Sequence, residues 1–169
     1  MVRIGITGHM DLTPASTTLV RTAITEVLTP YARNGLTGVS CIAAGADSIF
    51  AEVVLALGGE LEVILPASDY RRCRVRPDHA ELFDTLVRRA TRVRVMPFDE
   101  SNRTAYEAAN EALLDSVDLL LAVWDGRSPA DRGGTAAVVE SARARKLATD
   151  IVWPPGMRRL RHNKIGERR

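Results

Sequence analysis

Six short hydrophobic runs, separated by segments whose apolar residues repeat at helical spacing, recur roughly every 25 to 30 residues along this chain. The runs are Val2–Thr7, Gly38–Ala44, Leu61–Leu65, Val93–Met96, Leu119–Val123 and Ile151–Trp153. Between the first two, Thr13-Pro14 is a helix entry, with threonine as cap and proline at the first helical position. Leu19, Val20, Ile24, Val27 and Leu28 then form one apolar stripe, ended by Asn34-Gly35. Similar stripes run through Ile49, Phe50, Val53, Val54 and Leu57, and through Leu82, Phe83, Leu86 and Val87. Two more helices are predicted, one over Ser101–Asp115 with Ala105, Ala108, Ala109, Ala112 and Leu113 inward, the other from Thr135 to about Leu147. The polar stretch SDYRRCRVRPDH reads as a surface loop, and Pro154-Pro155-Gly156 as the end of the fold. Alternation of this kind means βαβ units and right-handed crossovers. The expectation is one doubly wound, mostly parallel α/β sheet with helices on both faces, occupying residues 1–156, followed by a basic tail at 157–169.

That fold tells which residues can meet a ligand. Doubly wound sheets bind beyond the carboxyl ends of their strands, at the point where strand order reverses. Gly8, His9 and Asp11 follow the first run, Gly45 and Asp47 the second, and Asp125, Gly126 and Arg127 the fifth, so all are expected on the binding side. Asp118 precedes its strand and belongs at the opposite end. After the fifth strand, DGRSPADRGGT leads into a helix opening on Gly133, Gly134 and Thr135. Free N–H groups and the positive end of the helix dipole there form a ready anion site.

Several function classes are set aside by what the chain lacks. GITGHMDL is not the G-x-G-x-x-G fingerprint of a nicotinamide dehydrogenase, and no Gly-Lys-Ser/Thr forms a P-loop. There is no Cys/His spacing for zinc and no metal or cofactor is implied. With 46% hydrophobic and 26% charged residues the 169-residue chain has an ordinary globular composition, and no apolar run is long enough to span a membrane. MVRIGITGHM carries no secretory pattern, and Cys41 and Cys73 read as free thiols, so a reducing cytoplasm is expected. The net charge of +2 conceals an asymmetry: Arg158, Arg159, Arg161, Lys164, Arg168 and Arg169 face a single acid, Glu167, after Met157. Such a tail binds nucleic acid or an acidic partner, or is simply solvated. Because the body shows no basic-aromatic motif, nucleic acid is read as an unlikely partner.

GITGHMDL, AAGADSIFAE and WDGRSPADRGGTAAVVE, each after a strand, together resemble the SLOG superfamily of Rossmann-like proteins. That group joins the DNA-processing protein DprA with the Lonely Guy cytokinin-activating enzymes, and the chain is most similar to its small stand-alone bacterial members from about Val2 to Trp153. The resemblance implies a nucleotide or nucleotide-derived ligand, with Gly8 and His9 beneath it, Gly45 to Asp47 beside it and Gly133 to Thr135 on its phosphate. It also implies a homo-oligomer, with the Ala-rich helix at 101–115 as a candidate interface. In the Lonely Guy enzymes the pocket cleaves the N-glycosidic bond of a nucleoside monophosphate, under a PGG-x-GT-x-x-E signature with an arginine on the preceding helix. Here Arg132 or Ala130 stands at the proline, the acid position falls on Val138 with Glu140 two residues late, and the arginine position reads Leu114-Asp115. Met10 stands where related sequences carry an arginine, so a cationic phosphate contact must come from Arg127, Arg132 or backbone amides, or be absent.

Two functional readings follow. One is a nucleotide-binding protein without catalytic apparatus. The other is an N-glycoside hydrolase of a nucleoside 5′-monophosphate, which needs an acid for the departing base and a carboxylate at the sugar. Asp125 and Glu140 are its catalytic candidates, with Asp47 the other carboxylate near the crevice. Each has a plainer role: Asp47 as cap of the next helix, Asp125 holding its own turn, Glu140 facing solvent. His9 either contacts ligand or bonds backbone, and Thr135 can be a plain helix cap. Tyr106 and Asn110 share one helix face and could reach the pocket or a partner subunit, with core packing the preferred reading for Tyr106; Trp124 reads as core in preference to pocket wall.

Overall fold

The computed structural model describes residues 1–127 and 134–160. Within them six strands form one sheet in the order β4-β3-β2-β1-β5-β6, and every ladder is parallel. In chain order the elements are β1 (Val2–Gly8), α1 (Pro14–Ala32), β2 (Leu36–Ser40), α2 (Ala46–Ala56), β3 (Glu60–Leu65) and α3 (Tyr70–Cys73). There follow α4 (Pro77–Arg89), β4 (Arg92–Val95), α5 (Arg103–Asp115), β5 (Leu119–Val123), α6 (Thr135–Ala144) and β6 (Ala148–Val152). This is the expected doubly wound α/β sheet.

Central strands read as unbroken hydrophobic runs because both of their faces are buried. In β5, Leu119, Leu121 and Val123 point to one face and meet Val20, Ile24 and Leu28 of α1. Leu120 points to the other, where it joins Ala109, Ala112 and Leu113 of α5 and Val138 and Ala142 of α6. Helices α1, α2 and α4 therefore cover one face, and α5 and α6 the opposite one. Thr13 caps α1, its side chain accepting from the Ser16 N–H, and Asn102 caps α5 by accepting from Ala105. Among the described residues no helix is long and apolar enough to cross a membrane.

Strand order decides where a ligand can go. From β1 the chain advances one way through β2, β3 and β4, then returns to lay β5 on the free side of β1. The reversal, and with it the crevice, lies between the carboxyl ends of β1 and β5. Asp118 sits at the other end as expected, its carboxylate accepting from the Arg3 N–H at 2.9 Å, while Arg3 also forks onto Glu62.

Three local differences from the sequence reading have physical causes. β2 ends at Ser40 rather than Ala44, because Ile42 turns into the left-handed region at φ 46°. The stretch expected as loop contains the single turn α3, anchored by the buried Tyr70. Finally, the chain stays packed on the fold after Pro154-Pro155-Gly156: Arg159 forms an isolated antiparallel bridge with Leu12 in the first loop, and Met157 is buried in the core.

Candidate functional site

At the reversal, Gly8 ends β1 where only a hydrogen fits. A Cβ there would lie 2.5 Å from the Ala46 Cβ and 2.8 Å from that of Val123, so β1, β5 and the start of α2 approach as closely as they do because of it. His9 follows, its N–H donating to the Val123 carbonyl. Its ring stands edge-on to Trp153, with centroids 5.7 Å apart. The Asp125 N–H points at His9 Nε2 at 3.3 Å, and the Asp125 carboxylate lies 3.4 Å from the same nitrogen. Burial first, and the Arg159 charge second, push the His9 imidazole below its ordinary range, against the pull of Asp125 and Asp11. The shift favours the neutral ring, with Nε2 facing both the Asp125 amide and its carboxylate. Burial works to raise Asp125, but the Arg127 N–H, His9 and Arg159 together hold it below the usual carboxylate range.

The segment Met157–Leu160 crosses this crevice as a strap. The Thr13 N–H donates to the Arg158 carbonyl, the Arg158 N–H to Ser16 Oγ at 2.7 Å, and the Leu160 N–H to the Asp11 carbonyl at 2.6 Å. Arg159 Nε lies 2.9 and 3.2 Å from the two Asp11 oxygens, and its Nη1 is 3.6 Å from Asp125. His9 and Asp125 side chains keep 10% of their exposure and Asp11 12%, against 41% for Arg159. Among the described residues no group of three or more His, Cys, Asp or Glu is arranged to hold a metal ion.

The other expected residues are distributed around this centre. Gly45, at φ 86°, lies against the first loop: a Cβ would meet the His9 oxygen and the Met10 Cα at 2.7 Å. Asp47 sits in the first turn of α2, whose cap is Gly45, with its carboxylate turned back to the Ala43 N–H. It is only 8% exposed, and burial pushes it up to about 7. Ile42 beside it holds a backbone conformation rare for a branched residue. Ser40 Oγ accepts its N–H, and Ser48 Oγ and His79 Nε2 both approach its carbonyl, which fixes the turn from three sides. Gly126 and Gly134 have φ of 76° and 77°, with open space where a Cβ would go. Gly134 is the cap residue of α6 and, as glycine, supplies no side-chain bond to it, and Thr135 is buried behind it. Arg127 is exposed and its N–H holds Asp125. Glu140 lies on the exposed face of α6 with Ala137, away from the side that packs on the sheet. Gly133 and Arg132 fall outside the described residues.

Sequence reasoning placed His9, Asp11 and Asp125 on the binding side but missed Arg159 and Trp153. Two signals pointed to Arg159: the cluster of cations after Met157, and Met10 in place of a cation in the first loop.

No family model matches the chain, and no curated protein matches it significantly. Solved structures do. DNA processing protein A of Helicobacter pylori, described for its single-stranded DNA binding mode, superimposes with a TM-score of 0.66 at 16% identity. The match covers 92% of this chain and 67% of that one. DNA processing protein A of Streptococcus pneumoniae gives 0.66 at 14%, over 92% of this chain and 52% of the other. The chain shares the Rossmann-like fold of these proteins. The molybdenum cofactor binding protein of Rippkaea orientalis shares this fold too, at a TM-score of 0.58 and 14% identity, over 89% of this chain and 75% of that one. These neighbours correct one expectation. Nucleic acid cannot be set aside as a partner, because a SLOG-fold neighbour binds single-stranded DNA. The absence of a basic-aromatic motif in the body was the wrong criterion for this fold.

Proposed function

We propose that this chain is a binding protein for a phosphate-bearing nucleotide or nucleotide derivative, held between the carboxyl ends of β1 and β5. The observation that carries the reading is the convergence of His9, Asp11 and Asp125 at the one place where strand order reverses. In this arrangement the start of α6 at Gly134 takes the phosphate. The neutral His9 ring faces the base or sugar, and the Asp125 carboxylate accepts from a sugar hydroxyl or base amine. A nucleotide carrier of this kind belongs in the cytoplasm, where Cys41 and Cys73 stay reduced.

The test is calorimetric titration with the four ribonucleoside 5′-monophosphates and, in parallel, a single-stranded oligodeoxythymidine. Saturable binding of a monophosphate, weakened at least tenfold by D125N, supports the reading. Binding of the oligonucleotide with no response to any monophosphate replaces it with a nucleic-acid function.

Hydrolysis of an N-glycosidic bond is a second reading, and one observation favours it. Asp47, in the first turn of α2 after β2, is a buried carboxyl raised to about 7 while Asp125 is held low, so the two carboxyls favour opposite protonation states, as an acid and a sugar carboxylate must. Glu140, exposed on α6, is not needed for it. Release of free base from a monophosphate, lost in both D47N and D125N and kept in E140Q, is its expected signature; intact nucleotide after prolonged incubation eliminates it.

A further inference from the structure

We infer that Arg159 is the residue that selects an anionic ligand, brought to the crevice by the C-terminal strap; the inference rests on the nucleotide-site reading above. The two ends of its guanidinium are held differently. Nε is fixed at 2.9 and 3.2 Å from the Asp11 oxygens, whereas the nearest terminal nitrogen stands 3.6 Å from Asp125, beyond hydrogen-bond distance. The stem is anchored and the fork is attached only by charge. At 41% exposure, beside carboxylates that are nearly covered, Arg159 presents those terminal N–H groups outward.

Backbone contacts place it there. The bonds of Arg158 to Thr13 and Ser16, of Leu160 to Asp11, and the burial of Met157 leave little freedom in where the Arg159 Cα sits. Charge shows why a cation is needed. Arg159 offsets part of the negative charge that Asp11 and Asp125 would turn on a phosphate ester. The first loop supplies no compensation, since its next residue is the exposed Met10. When a phosphate arrives, Nε keeps Asp11 and the terminal nitrogens turn from Asp125 to the phosphate oxygens, which releases Asp125 toward the sugar. A guanidinium can serve both partners at once because its donors form a planar fork; an ammonium cannot.

The experiment compares the four ribonucleoside 5′-monophosphates with their four parent nucleosides by calorimetry on wild type, R159Q and R159K. Expected is a loss of at least tenfold in monophosphate affinity for R159Q, with nucleoside affinity unchanged and R159K intermediate. An equal loss for nucleoside and monophosphate shows Arg159 to be merely structural, and no loss in R159Q shows that it does not meet the ligand; each overturns this inference while leaving the site reading intact. If wild type binds no monophosphate, both fall. Should R159Q fail to fold, R159K keeps a cation on Asp11 and a selective loss of about threefold or more decides the question.

Discussion

Replacing Asp47 by asparagine should make the protein more stable at alkaline pH and hardly alter it in acid. Asp47 lies in the first turn of α2 with its carboxylate turned inward, and its value rises from the ordinary 3.8 to about 7. Between those pH values the folded chain keeps the proton and the unfolded chain has lost it. The folded state therefore binds more protons, and stability falls as pH rises through that window. At 1.36 kcal/mol per pH unit the penalty above pH 7 approaches about 4 kcal/mol. Asparagine keeps an oxygen for the Ala43 N–H and cannot ionise, but it buries an extra N–H pair, so about 2–3 kcal/mol of the penalty should be recovered. For a domain of this size that corresponds to roughly 5–10 °C in melting temperature. Urea unfolding followed by circular dichroism at pH 4.5 and 8.5 measures it: the gap between D47N and wild type should be wide at 8.5 and shrink to about 1 kcal/mol or less at 4.5. If D47N is no more stable than wild type at pH 8.5, Asp47 is not a desolvated acid and the reasoning from burial fails. If D47N is stabilised and also loses base release, the carboxyl is retained for chemistry at a cost in stability.

Other positions make sharper structural claims. Gly45→Ala combines a left-handed φ with contacts at 2.7 Å to the first-loop backbone and should cost about 2–4 kcal/mol in urea unfolding. Gly126→Ala has a similar φ but open space, so about 1 kcal/mol is expected; equal costs would mean that the packing of Gly45 on His9 is not what constrains it. His9 is harder to protonate in the folded chain than in the unfolded one, so stability is intact above pH 6.5 and declines as pH falls through that value. H9Q should flatten this decline, and R159Q should lessen it, because the charge of Arg159 is the second cause of the lowered value. A decline in H9Q as steep as in wild type would assign it to other groups.

How far the sequence reached can be judged from particular residues. Leu119–Val123 announced itself because a strand buried on both faces must be apolar throughout, and its boundaries matched the structure. The placing of His9 and Asp125 at the carboxyl ends of their strands followed from the alternation, whereas the strand order itself is a finding of the structure. β2 was read four residues too long: Cys41, Ile42, Ala43 and Ala44 are apolar, yet Ile42 leaves the sheet because Ser40, Ser48 and His79 hold its backbone elsewhere. No hydropathy pattern records a turn imposed by side chains from two other elements. Asp47 looked like a helix cap by spacing, whereas its burial depends on how α2 packs. Arg159 lay furthest from reach, since its partner Asp11 stands 148 positions away and nothing periodic links the two.

That separation governs the order in which the molecule is completed on the ribosome. Domains begin to fold from the amino-terminal side as they are synthesised. Here β1, β2, β3 and β4 and their helices can assemble while the carboxyl-terminal third is still being made. Even after β5 docks on β1, the first loop waits for Met157–Leu160 to bond Thr13, Ser16 and Asp11. A nascent chain stalled before residue 157 would lack the contacts of Arg159 to Asp11 and Asp125. The first loop and the strap are thus joined only once Met157–Leu160 has been made.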